Sequence, residues 1–327
     1  MRWFLRDRKV LACLVLVVGG VVGVVLWGWS RLCRRPGRSA EIRQVVLISI
    51  DTCRADHWGC TGYQALITPH IDALAGEGVL FEQVVSPAPL TLPAHATMLT
   101  GLLPGRHGVR ANVGYRLGPE NLTLAEILRA EGFRTVGVVS SSVLGGSTGI
   151  RQGFVDFYDD FTDSSPWHDE RRAAQTSAIA LDWLQRHADA KFFMFLHYFD
   201  PHHEYDPPGR WARQWAEDPY AGEIAYVDYW IGRVIECLKR LKLYESTLLI
   251  ITSDHGESFG EHGEFTHGYF VYDSTIRVPL LIRRPGGLRG HRVRDPVGLV
   301  DIMPTILGCL KIALPASAQG ADLLLYL

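Results

Sequence analysis

Two apolar runs in this chain end in acid: VVLISID at Asp51, and TLLIITSDH at Asp254 and His255. A third, FFMFLHYFDPHH, ends at Asp200 to His203. Short apolar runs rich in β-branched residues are the pattern of buried parallel strands. In open α/β sheets, sites collect beyond the carboxyl ends of such strands. Carboxylates and imidazoles delivered there are the donors that a hard or borderline cation takes. A carboxylate ending a buried strand is costly without a partner, which singles out Asp51. The candidate ligands are Asp51, Asp254 and His255, with Asp200 as an additional candidate. His202, His203 and His267 bring three imidazoles towards the same edge.

Thr91 is the candidate nucleophile. It opens Thr-Leu-Pro-Ala-His (91–95), where a helix is expected to begin. Threonine is a good N-cap and proline suits a first turn, so capping alone is one reading. A hydroxyl at a helix N-terminus also sits in a positive potential that suits an anionic tetrahedral ester. An unassisted threonine is a poor nucleophile, and coordination to a divalent cation lowers its pKa. The nucleophile reading therefore depends on the metal, to which Thr91 would also be a ligand.

The elements that must position these residues alternate. Strands are expected from Val45 and at Val79–Val85 and Thr135–Ser140. Helices are expected at Pro69–Leu74, at Leu124–Glu131 with a Thr123/Glu126 capping box and Gly132 as its stop, and at Glu170–Ala188 and Glu223–Leu241. Such alternation implies an α/β fold, a mostly parallel central sheet flanked by helices. At 327 residues the length suits one large domain or two small ones, and a net charge of −2 gives no nucleic-acid signature. Residues 10–29 carry no charge, and roughly 20 apolar residues span a bilayer. This predicts a basic N-terminus (1–9), a transmembrane helix (10–29), a linker (30–44) and a catalytic domain (45–327). Basic residues flank both ends of the span, so charge leaves its topology open. The six cysteines do not form a disulfide framework. Asn121-Leu-Thr fits a glycosylation sequon.

The chain closely resembles the sulfatase family of the alkaline phosphatase superfamily. The resemblance rests on IDTCRADHWGCTGY, TLPAHATMLTGLLPGRHGVRAN, FDPHHEYDPP, SDHGESFGEHGEFTHG and YDSTIRVPLLIRRPG, in family order, with further segments covering nearly everything from Val45 onward. It implies metal ligation by Asp51, Asp254 and His255, with Thr91 in the place of the nucleophile. It implies that His202 and His267 hold the ester's anionic oxygens or protonate the leaving group. His95 replaces the arginine of the family's nucleophile signature and takes its substrate-binding place.

The chain also departs from the family. Sulfatases convert cysteine or serine to formylglycine, and threonine cannot yield that aldehyde. Thr52 stands where many members have a second acidic ligand, and Val139-Ser140-Ser141-Ser142 replaces a Gly-Lys-Trp-His segment. Against the family pattern, the expectation is a short or absent C-terminal subdomain.

The expectation is a membrane-anchored, metal-dependent hydrolase cleaving an anionic ester through a covalent Thr91 intermediate, with phosphoesters or phosphonates favoured over sulfates. Zinc, manganese, magnesium and calcium are the candidate metals. The expected location is a single-pass membrane protein with an extracytoplasmic catalytic domain. The alternatives are a phosphoethanolamine- or glycerol-phosphate-type transferase using the same site, and a non-catalytic membrane-anchored binding protein.

Overall fold

Three strands of seven residues each make the centre of the molecule: β1 (Gln44–Ile50), β5 (Phe192–Tyr198) and β6 (Thr247–Ser253). Every residue in them is buried, because both faces of the sheet are covered. Side chains alternate between faces at period two. Val45 and Leu47 of β1, Phe193 and Phe195 of β5, and Leu248 and Ile250 of β6 join one core cluster. Val46, Ile48, Met194, Leu196, Leu249 and Ile251 join the other. Each such side chain contributes about 1.5–3 kcal/mol on full burial, so the doubly covered strands are the most firmly fixed part of the fold.

A computed structural model describes residues 41–65, 67–161 and 170–327. In chain order its principal elements are β1, α1 (Pro69–Ala75), β2 (Val79–Val85), α2 (Thr91–Thr100), α3 (Leu124–Ala130), β3 (Arg134–Val138), β4 (Asp156–Tyr158), α4 (Ala173–Arg186), β5, α5 (Pro219–Arg240), β6, β7 (Ser258–Phe259), β8 (Phe265–Thr266), β9 (Arg277–Arg283), β10 (His291–Val293), β11 (Val297–Gly298) and α6 (Ile302–Leu310). The predicted transmembrane helix and most of the linker lie outside the described residues. No helix within them is long and apolar enough to cross a membrane. Gln44, placed by the sequence in the linker, is the first residue of β1.

The main sheet runs β10-β2-β9-β6-β1-β5-β3-β4, with β11 also paired to β2. It is mostly parallel, as expected, and mixed only through β9, which lies antiparallel to both β6 and β2. Helices cover both faces. Leu92, Leu124, Leu128 and Ile306 bring α2, α3 and α6 to one core. Ile71, Trp183, Ile224 and Val234 bring α1, α4 and α5 to the other.

Local signals explain the helix starts. The Thr123/Glu126 capping box forms, with Thr123 accepting from the Glu126 amide. Asp218 caps α5 by accepting from the Ala221 amide at 3.0 Å, and Pro219 takes the first turn. Asp228 on α5 accepts from the His70 and Ile71 amides, so it caps α1 from across the interface. The sequon at Asn121 is structural: its side chain is buried and its amide donates to the carbonyls of His107 and Gly118.

Candidate active site

The register of the three central strands sets the site. Ile50 pairs with both Tyr198 and Ser253, so β1, β5 and β6 end level. Asp51 follows immediately, its amide donating to the Tyr198 carbonyl at 2.8 Å, and Asp254 follows β6 at the same edge. Thr52 adopts φ 52°, a conformation costly for a β-branched residue, and its amide donates to Asp254 Oδ1 at 3.2 Å. The His255 amide donates to the same oxygen at 2.8 Å. These bonds fix Asp254 and leave Oδ2 turned the other way. Gly256 is required next, since a Cβ there would lie 2.0 Å from the Ser274 carbonyl oxygen.

Four atoms with free lone pairs converge at this edge. His255 Nδ1–H donates to the Gly256 carbonyl at 2.9 Å, which leaves Nε2 as an unprotonated acceptor. Nε2 lies 3.5 Å from Asp254 Oδ2, 3.7 Å from Asp51 Oδ1 and 3.3 Å from Thr91 Oγ1. Asp51 Oδ1 and Asp254 Oδ2 are buried and accept no hydrogen bond within the protein. Such a grouping is costly unless a cation completes it. Asp51, Asp254 and His255 are the one cluster among the described residues whose ligand atoms all lie within 4.8 Å of one another. The residues therefore fit a divalent metal ion, with Thr91 Oγ1 beside it.

Burial sets the charges in the metal-free protein. It raises Asp51 well above the usual carboxylate range and pushes Asp254, with Asp51 as neighbour, up to about 7. It lowers His255 to about 3, so the imidazole is neutral and ready to ligate.

Thr91 does not cap its helix. Leu90 takes the N-cap position, and Thr91 is the first residue of α2, with its hydroxyl 3.5 Å from Asp51 Oδ2. The hydroxyl thus faces the cation site, and the capping reading fails. α2 is buried at every residue and ends where Gly101 takes φ 64°, so its first turn is firmly held.

The His95 ring is buried, with Nδ1–H donating to the Thr91 carbonyl at 2.8 Å and Nε2 accepting from Ser49 Oγ at 2.9 Å. Both nitrogens are engaged within the protein, and the bond to the Thr91 carbonyl makes His95 a support for the first turn of α2. Asp200 stands apart from the metal cluster. Its Oδ1 accepts from the Ala173 amide at 3.0 Å.

His202 and His267 meet at the open side. Their rings are half-buried and their Nε2 atoms lie 3.2 Å apart. His202 Nδ1–H donates to the His203 carbonyl and His267 Nδ1–H to that of Pro89. His267 also packs on His255, ring centroids 4.3 Å apart. Burial lowers His202 to about 4, helped by His267, and lowers His267 to about 3. An anion arriving between the rings favours a proton on one of the facing nitrogens.

The sequence missed His197, a histidine inside the buried strand β5. The Ser140 amide donates to its Nδ1 at 3.3 Å, so Nε2 carries the proton and donates to Asp51 Oδ2 at 3.1 Å. Metal-bound carboxylates are commonly held in this way by a second residue. The signal was available: FFMFLHY is apolar except for that residue.

The sulfatase family profile matches residues 43–312. The chain belongs to the sulfatase family. It is accordingly a metal-dependent hydrolase of the sulfatase and alkaline phosphatase superfamily. An arylsulfatase from Clostridium perfringens is 27% identical, over 85% of this chain and 77% of its own length. A phosphonate monoester hydrolase of Agrobacterium radiobacter superposes with a TM-score of 0.76 at 24% identity, covering 87% of this chain and 77% of that one. Another, from Silicibacter pomeroyi, has a TM-score of 0.67 at 25% identity and covers 86% of this chain and 75% of that one.

Proposed function

We propose that this sulfatase-family hydrolase cleaves a phosphoester or phosphonate ester, rather than a sulfate ester, through a covalent intermediate on Thr91. The observation that carries the reading is the Thr91 hydroxyl 3.3 Å from His255 Nε2 and 3.5 Å from Asp51 Oδ2. Asp51, Asp254 and His255 would hold the metal. When bound, a divalent ion supplies Lewis-acid polarisation and lowers the pKa of a neighbouring hydroxyl. The histidine ligand leans away from calcium, and zinc is the candidate whose preferred donors include both imidazole and carboxylate.

The steps assigned to the chain's own residues are as follows. Thr91 Oγ1 bonds to the phosphorus as its proton passes to Asp51 Oδ2, and the bond to the leaving oxygen breaks in line. His202 and His267 bind the non-bridging oxygens and supply the proton that the leaving alkoxide takes. Water then bonds to phosphorus and gives a proton back to the His202 and His267 pair, while the Thr91 Oγ1–P bond breaks and the hydroxyl regains its proton from Asp51. Two features support phosphorus over sulfur. Threonine cannot form the aldehyde of sulfatase catalysis, so the intermediate must be cleaved by direct attack of water. His95 lies where sulfatases carry arginine. The fold itself is common to phosphonate monoester hydrolases and sulfatases and does not choose between them.

Residues 10–29 are proposed as a single-pass anchor, with the hydrolase domain (45–327) outside the cytoplasm. The support is their length and lack of charge. The test is a panel of aryl sulfates, phosphomonoesters, phosphodiesters and phosphonate monoesters, each with zinc, manganese, magnesium or calcium. Turnover confined to phosphorus esters and lost in Thr91→Ala is expected. Faster turnover of sulfates would overturn the substrate preference. An alcohol acceptor that captures most of the product would favour the transferase alternative.

A further inference from the structure

A cavity of about 180 Å³ opens on the far side of His202 from His267 and is lined in part by that ring. Its lining includes Glu170, Asp200, Asp206, Glu223, Arg172 and His202. Carboxylates outnumber cations there. Arg171 also lines it but directs its guanidinium to the carbonyls of Val139, Tyr158 and Asp160. Arg172 alone neutralises, bonding Glu223 Oε1 at 2.8 Å and Asp206 Oδ2 at 3.1 Å.

Two of the carboxylates are buried with half of their acceptors unused. Asp200 is 5% exposed and Glu223 is fully buried. Asp200 Oδ1 accepts from the Ala173 amide, and Glu223 Oε1 accepts from Arg172 and the Asp206 amide. Asp200 Oδ2 and Glu223 Oε2 have no partner. Burial pushes Asp200 up to about 7, and burial with Asp200 as neighbour pushes Glu223 up to about 9. Each carboxyl therefore leaves one buried oxygen without a donor, and an arriving cation would displace the proton that burial favours.

The missing partner is better an ammonium than a metal ion. A single water-sized group occupies roughly 30 Å³, so the cavity holds an organic fragment rather than one ion. Among the described residues, the cavity contains no third ligand atom close enough to complete a metal cluster. Arg172 already contacts Glu223, which disfavours a divalent ion at the same carboxylate. An ammonium brings three donors, and unpaired carboxylate oxygens accept them.

The cavity is continuous in residues with the hydroxyl site. His202 lines it and also meets His267 at 3.2 Å, and His267 packs on His255, whose Nε2 faces Thr91. Asp200 follows β5 at the sheet edge that carries Asp51.

We propose that this cavity is a subsite for a protonated primary amine on the organic group of the substrate, held by Asp200 and Glu223 while the ester occupies the Thr91 site. The inference rests on the phosphorus-ester reading and narrows it to amine-bearing esters.

The probes are 2-aminoethylphosphonate and its uncharged counterpart propylphosphonate, titrated calorimetrically against the zinc-loaded full-length protein. The wild type is expected to bind the aminoethyl compound at least about tenfold more tightly, the scale of a charge-assisted hydrogen bond. Glu223→Gln and Asp200→Asn should each reduce that preference while leaving propylphosphonate affinity unchanged. Both amides keep the acceptor oxygen that the fold uses, and thermal melts establish that each variant is folded. Equal affinities in the wild type would overturn the subsite while leaving the phosphorus-ester site standing. Failure of propylphosphonate to bind would overturn that site and the subsite with it. A second bound zinc ion per chain, lost in Asp200→Asn, would overturn the amine assignment in favour of a metal.

Discussion

Thr91 Oγ1 lies 3.3 Å from His255 Nε2, across 164 residues of sequence, because the first turn of α2 is packed against the ends of β1 and β6. The His255 ring presents a lone pair there, since its Nδ1–H is committed to the Gly256 carbonyl. Hydroxyl, imidazole and two unpaired carboxylate oxygens thus share one point in the molecule.

Metal affinity should fall as the solution is acidified. Burial raises Asp51 and holds Asp254 up at about 7 in the metal-free protein. Below pH 7 a proton on Asp254 competes with the cation, and affinity should weaken about tenfold per pH unit for each proton displaced. Isothermal titration of zinc into metal-free protein between pH 5.5 and 8 checks this. A flat profile would mean that these carboxylates are not the ligands.

The metal-free protein should lose stability from about pH 6.5 towards about pH 9. In that window Asp200, Asp228 and Asp254 titrate near 7, Glu257 near 8 and Glu223 near 9 when folded, against the usual 3.8 to 4.5 when unfolded. The folded state therefore binds more protons, and stability falls as pH rises. Below pH 6.5 the buried histidines His95, His197 and His255 oppose this trend, because their folded pKa values are depressed. Saturating zinc should flatten the slope by compensating Asp51 and Asp254. Chemical denaturation with and without zinc measures both effects.

His197→Phe should cost about 1–3 kcal/mol of stability, the penalty for buried polar groups left without a partner. The Ser140 amide and Asp51 Oδ2 both lose their contact to the ring. Metal affinity should fall about 10- to 100-fold, the usual effect of removing a residue that orients a ligand. Denaturant melts and zinc titration of the same variant separate the two. Unchanged zinc affinity would show that Asp51 needs no such support.

Much of this architecture could be read from the chain. VVLISID and TLLIITSDH were recognisable as strands because both of their faces are buried, and no charged residue interrupts either run before its terminal acid. Val79–Val85 was placed with its observed bounds, and the Thr123/Glu126 box is local chemistry that forms as written. The reversed direction of β9 was not legible, since an apolar run carries no mark of its neighbours' polarity. Helix α5 starts four residues before the expected Glu223, because Asp218 and Pro219 cap it ahead of the apolar periodicity. At the site, residue types identified the converging donors, whereas tertiary packing decided the rest. That both ring nitrogens of His95 bond within the protein is a matter of packing that sequence position alone does not show. His197 was passed over because a histidine within a strand is ordinarily a core residue, and only the pairing of Ser49 with His197 brings it beneath Asp51.

The most direct measurement is peptide mapping by mass spectrometry after rapid acid quench of the zinc-loaded protein turning over a phosphonate or phosphate monoester. A phosphonyl or phosphoryl group on the peptide containing Thr91, absent in Thr91→Ala, is the expected result. Rapid turnover with no adduct at any quench time, or full activity in Thr91→Ala, would contradict a covalent threonine intermediate.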